Sequence, residues 1–133
     1  MRTRPVDKSK FKDYLKRAEE CVNAMNWSYG NKEWNACVIG AVQSAIASAD
    51  APCVFKTGSR HAGERHEDAV ALFLGIDTND MEIKNNSKRL SKLLSIKSDA
   101  EYGEKLMKQA DADEAKITAE RLFHFVKGRC TLS

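Results

Sequence analysis

A chain of 133 residues, 42% hydrophobic and 31% charged, has the length of one domain and a globular composition, which excludes a disordered polymer. Its net charge of +3 is mildly basic and by itself does not mark a nucleic-acid binder. No apolar run approaches the roughly 20 residues of a membrane helix, and the basic opening MRTRPVDKSK has no apolar segment behind it; the expectation is one cytoplasmic domain over 1–133, with its core from about 9 to 128.

Apolar residues recur at three- and four-residue spacing, the helical signal. The first helix is predicted from about Ser9 to Tyr29, with Phe11, Leu15, Ala18, Val22 and Met25 along one face. Gly30 offers a stop and Asn31 a cap for the next helix. That second helix, WNACVIGAVQSAIASADAPCVF, is rich in small residues. Trp34, Val38, Ala41, Ala45 and Ala49 form a narrow stripe, while Gly40, Ser44, Ala47 and Ser48 leave room for a neighbouring backbone, a partner or a second copy. Pro52 is expected to kink or end it near Phe55 or Lys56.

A polar stretch, TGSRHAGER, follows, then a third helix from about Glu64 to Leu74, ended by Gly75. The fourth is predicted from Asp80 to Ser95, with Ile83, Leu90, Leu93 and Leu94 in one sector and Lys84, Lys88 and Lys92 on another face. IKSDAEYG reads as a loop or short turn. The last helix opens at Asp111 or Asp113, with Asp111 and Glu114 at capping-box spacing, and closes at Gly128, leaving RCTLS frayed. The expected architecture is all-α, an up-and-down bundle of four to five helices.

Cys21, Cys37, Cys53 and Cys130 form no close pair, so buried thiols are expected rather than disulfides or a zinc site. His61 and His66, five apart, do not suit two ligands on one helical face, and no metal or other cofactor is expected. Trp27 and Trp34 read as core or edge packing, and His124, between two phenylalanines, as a partly buried rim residue.

Taken in order, YLKRAEECVNAM, KEWNACVIGAVQSAIASADAPCVF, SRHAGERHEDAVALF, SKRLSKLLSIKSDAEY and AERLFHFVKG resemble the HEPN domains (higher eukaryotes and prokaryotes nucleotide-binding) over Phe11 to Gly128. The resemblance implies a four- or five-helix bundle, often dimeric. Many members are metal-independent endoribonucleases carrying Arg, usually with a polar neighbour after it, then His with four to six residues in between. Arg60, His61 and His66 match that pattern, with five residues between Arg60 and His66. In many catalytic relatives the motif lies later in the bundle. Two readings therefore stay open. One is a toxin-type ribonuclease acting as a homodimer. The other is a non-catalytic module that binds a nucleotide or a partner nucleotidyltransferase.

On an unbroken helix Arg60 and His66 would lie about 120° apart, so they converge only if the backbone turns, and Gly63 is expected to allow it. A neutral His66 could then take the proton of a ribose 2′-hydroxyl while Arg60 holds the phosphate. His61 could protonate the leaving 5′-oxygen or only position the RNA. Lys84, Lys88, Arg89 and Lys92 could track an RNA backbone, or form a solvated face.

Overall fold

The computed structural model describes residues 1–131. In chain order it has β1 (Thr3–Pro5), a 3-10 turn (Lys8–Lys10), α1 (Phe11–Gly30), α2 (Trp34–Thr57), β2 (Ser59–His61), α3 (His66–Leu74), α4 (Met81–Ser95), the short α5 (Lys97–Tyr102) and α6 (Gln109–Thr131). The expected all-α bundle is what forms, with one small two-stranded ribbon beside it.

Helix α2 is the central member, lying against α1 and α6. Cys37, Val38, Ala41, Ala45, Ala47, Ala49, Ala51, Cys53 and Val54 are all buried on it. The small residues that sequence offers to a partner are therefore used inside the chain. At Gly40 a Cβ would stand 3.1 Å from the Met25 Cα, so α1 rides almost directly on the α2 backbone. By length and composition α2 could cross a bilayer, contrary to the sequence expectation. Two-thirds of its apolar window is buried within the bundle instead, where α1 and α6 supply the apolar surroundings.

Pro52 lies inside α2, whose end falls within two residues of the expected Phe55 or Lys56. The helix continues to Thr57 and stops at Gly58, whose φ of 69° places it in the left-handed region and whose N–H donates to the Val54 carbonyl at 2.9 Å. Proline removes a single N–H from the ladder, and burial of Pro52, Cys53 and Val54 holds the last turns against the core. The joint before α2 also differs from expectation. Asn31 caps backwards, donating from Nδ2 to the Trp27 carbonyl at 2.9 Å, and the left-handed residue is Lys32, at φ 60°. A Cβ in that region costs roughly 1 kcal/mol. Lys32→Gly is expected to raise stability by up to ~1 kcal/mol, read as a higher denaturant midpoint at unchanged slope. An unmoved or lower midpoint would show that the turn carries no such strain.

The ribbon was not legible as strand. β1 and β2 pair antiparallel with Thr3 opposite His61, Arg4 opposite Arg60 and Pro5 opposite Ser59. Two further bonds extend it, Val6 N–H to the Gly58 carbonyl (2.8 Å) and Ala62 N–H to the Arg2 carbonyl (3.0 Å). Helix α3 starts at His66, two residues later than predicted, and buries Phe73 completely.

Helix α4 begins as read: Asp80 accepts from the Glu82 and Ile83 N–H groups, and also takes Arg129 of α6 at 2.6 Å. That guanidinium holds the Asp80 carboxyl below its ordinary range, with the two N–H bonds adding to the effect. Ile83, Leu90, Leu93 and Leu94 are all buried, as their spacing requires.

IKSDAEYG forms the six-residue α5. Asn35 of α2 secures it and the following loop, donating to the Ala100 carbonyl (2.8 Å) and accepting from the Met107 N–H (3.0 Å). Helix α6 opens earlier than predicted, and Asp111 lies in its first turn and reaches back to the Lys108 N–H at 2.8 Å. Gly128 does not close α6. The helix includes Arg129 to Thr131, with Cys130 buried in the core, so that part of RCTLS is not frayed. Leu132 and Ser133, the rest of that stretch, lie outside the described residues.

Cys37, Cys53 and Cys130 are buried free thiols and Cys21 is half-buried. Trp34 packs edge-on to Tyr29 with ring centroids 5.3 Å apart. Trp27, expected in the core or at its edge, is 67% exposed, and His124 is exposed rather than partly buried. Both stand on outward faces of helices whose inward faces Met25 and Phe123 occupy.

Candidate functional site

A cleft of ≈ 330 Å³ opens where the end of α2, the ribbon, α3, α4 and α5 meet. Ile46, Ala49, Leu72, Leu90 and Leu94 supply its apolar wall. Asp50, Arg60, His61, Glu64, His66 and Lys97 supply its polar side. This size, an apolar wall and a few convergent polar groups are typical of small-ligand sites.

Arg60 is half-buried on β2, its Nη1 donating to the His61 carbonyl at 3.1 Å. His66 is the first residue of α3 and is exposed at the cleft. Arg60 and His66 thus come from different elements onto one concave surface, which His61 also lines.

The chain bends at Gly63 and Glu64, as expected, and Gly63 contributes in a second way. Its φ is not positive, so no left-handed bend is involved. A Cβ there would meet His61 Nε2 at 3.3 Å; what glycine supplies is room for the imidazole to lie against the loop. His61 Nε2 is buried without a hydrogen-bond partner among the described residues. Burial lowers the His61 pKa, and Arg60 adds to the shift while Asp68 opposes it. His61 lines the same cleft as Arg60 and His66.

Two cleft residues escaped the sequence reading. Asp50, on the last turns of α2, has no hydrogen bond or ion pair among the described residues. Burial pushes its carboxyl up to about 7, against the pull of Arg60 and Arg17. An acid inside the apolar run ASADAPCVF is an anomaly that could have flagged it. Lys97 opens α5, and nothing in its local pattern points to a cleft. Cys53 also lines the cavity, but burial, Asp50 and Cys130 push its thiol up to about 12, so it is no thiolate nucleophile.

The basic residues of α4 lie elsewhere. Lys84 and Lys88 are exposed on a face that does not line the cleft. Lys92 pairs with Glu114 of α6, and Arg89 donates to Asn86 Oδ1 at 3.0 Å. Leu90 and Leu94, on the other side of the same helix, are what α4 gives to the cavity.

A comparison with curated proteins returns no match. The family model for the HEPN domain does match, over residues 11–129. That span takes in α1 to α6 almost completely, with every residue of the cleft inside it. The chain therefore belongs to the HEPN domain family.

Proposed function

We propose that this HEPN protein is a metal-independent endoribonuclease that cleaves RNA in the α2–α3 cleft. The observation that carries the reading is the convergence of Asp50, Arg60, His66 and Lys97, from four separate elements, on one cavity. His66 takes the proton of the ribose 2′-hydroxyl, and the 2′-oxygen attacks the adjacent phosphorus. Arg60 and Lys97 neutralise the charge that develops on the phosphoryl oxygens. The P–O5′ bond breaks and Asp50, half in its acid form near neutrality, gives its proton to the departing 5′-oxygen. The products are a 2′,3′-cyclic phosphate and a 5′-hydroxyl.

HEPN domains commonly dimerise, and two clefts in a homodimer could act on one strand. A cytoplasmic setting, where thiols stay reduced, suits the four free cysteines.

The test is incubation of pure protein with mixed-sequence RNA in EDTA. Fragments ending in cyclic phosphate are expected; RNA left intact at every concentration overturns the catalytic reading. The apolar wall beside the cations favours one second reading, a module that binds a nucleotide without cleaving it. Calorimetry with 5′-AMP and ATP giving heat, while RNA stays whole, would establish that one instead.

Asp50 also sets a pH dependence. Its folded pKa of about 7 lies above the unfolded carboxylate value, so the folded state binds the extra proton. Stability associated with Asp50 is therefore full at low pH and declines as pH rises from the ordinary carboxylate range through about 7. Asp50→Asn is expected to raise the melting temperature at pH 8 and to change it little at pH 4. It should also lower the cleavage rate and remove the fall in rate above pH 7. A variant with the wild-type alkaline limb would show that Asp50 is not the acid.

A further inference from the structure

The ribbon carries two further arginines, Arg2 and Arg4, on the strand paired with the one that gives Arg60 to the cleft. Arg4 stands directly opposite Arg60 in the antiparallel register, so the two side chains share one face of the ribbon. Arg2 is two residues from Arg4 and shares that face; its carbonyl accepts the Ala62 N–H, and its Cβ lies 3.6 Å from where a Gly63 Cβ would be. Ala62 and Gly63 are themselves part of the cleft wall. Arg2 and Arg4 are both exposed, and neither makes an ion pair, side-chain hydrogen bond or ring contact among the described residues. Like charges directly opposite each other weaken a ladder, and this ladder has only three residue pairs. An anion lying along the face relieves that repulsion.

We infer that Arg2 and Arg4 form a track for the phosphates of single-stranded RNA leading to Arg60, so the ligand is an oligonucleotide rather than a mononucleotide. This rests on the cleft reading above, because the track has a destination only if Arg60 holds a phosphate. Arg2 and Arg4 are roughly 7 Å apart along the strand, which suits neighbouring phosphates of an extended chain. No aromatic ring accompanies them, so contact is with the backbone and independent of base. The two arginines lie outside the span matched by the family model, residues 11–129.

The experiment uses the full chain and a fluorescent 12-mer of 2′-O-methyl RNA, which has no free 2′-hydroxyl and stays uncut. Anisotropy gives Kd from 50 to 200 mM salt for wild type, for Arg2→Ala/Arg4→Ala, and for Arg2→Lys/Arg4→Lys. Calorimetry with 5′-AMP reports on the cleft alone. The alanine pair is expected to weaken 12-mer binding on the order of tenfold at 50 mM salt and to reduce the slope of log K against log salt by about 1.4, two contacts at ~0.7 each. It should leave 5′-AMP unchanged, and the lysine pair should restore the slope, which a mere loss of the ribbon would not allow.

Unchanged 12-mer affinity and slope, with 5′-AMP still bound and still lost in Arg60→Ala, would overturn the track and leave the cleft reading intact. Failure of wild type to bind either probe would overturn the cleft reading and the track with it. Arg2- and Arg4-dependent capture on phosphatidylserine vesicles, with RNA binding unaffected, would reassign the face to a membrane and overturn the RNA assignment.

Discussion

His66→Ala protein is expected to lose metal-independent RNA cleavage by about 10²- to 10⁴-fold, the usual contribution of a positioned general base. His66 is exposed at the first position of α3 and its side chain makes no hydrogen bond among the described residues, so its removal leaves the melting temperature close to wild type. The loss should fall on kcat, because 5′-AMP binding depends on Arg60 and Lys97 and survives. Retention of activity in His66→Ala would remove this residue from the mechanism. Parallel loss in an Arg60→Ala protein that still melts normally would tie the activity to the cleft and not to a contaminating nuclease. Arg60→Lys keeps charge but not the planar fork, and is expected to fall between the two.

Phe73→Ala should cause the largest loss of stability, about 3–5 kcal/mol. Phe73 is fully buried and is the one buried side chain of α3, so it is the main attachment of that helix to the core. A domain of this size has roughly 5–15 kcal/mol in all, and the melting temperature should drop by roughly 10–20 °C. The consequence reaches the site, because α3 carries His66 at one end and Phe73 at the other. Phe73→Leu, which leaves a smaller cavity, should keep most of the stability and most of the activity. A Phe73→Ala protein that melts like wild type would mean that α3 is held by something other than this ring.

The helices were legible because their periodicity is local. Ile83, Leu90, Leu93 and Leu94 had to share a face on any helix, and a core existed to receive that face. The start of α4 at Asp80 was equally local, and the structure adds that Asp80 caps it, accepting from N–H groups within three residues. Pro52 sits inside α2 rather than at its end, because buried neighbours on both sides hold the turn despite the lost bond, and the helix finishes at Thr57, close to the end expected near Phe55 or Lys56. Trp27 was misread because a large apolar residue can lie on either side of the boundary, and only packing says which.

The sequence by itself determined the helical class, the order of the helices and the candidate Arg60 and His66, since each follows from residues close in the chain. Tertiary structure alone decided that Asp50 and Lys97 join those two, and that Arg4 stands beside Arg60. The first juxtaposition brings residues 50 and 97 into one cavity, and the second pairs residues 4 and 60 across a ladder. Contacts over such separations are set by how faces pack and strands register, and no local spacing encodes them.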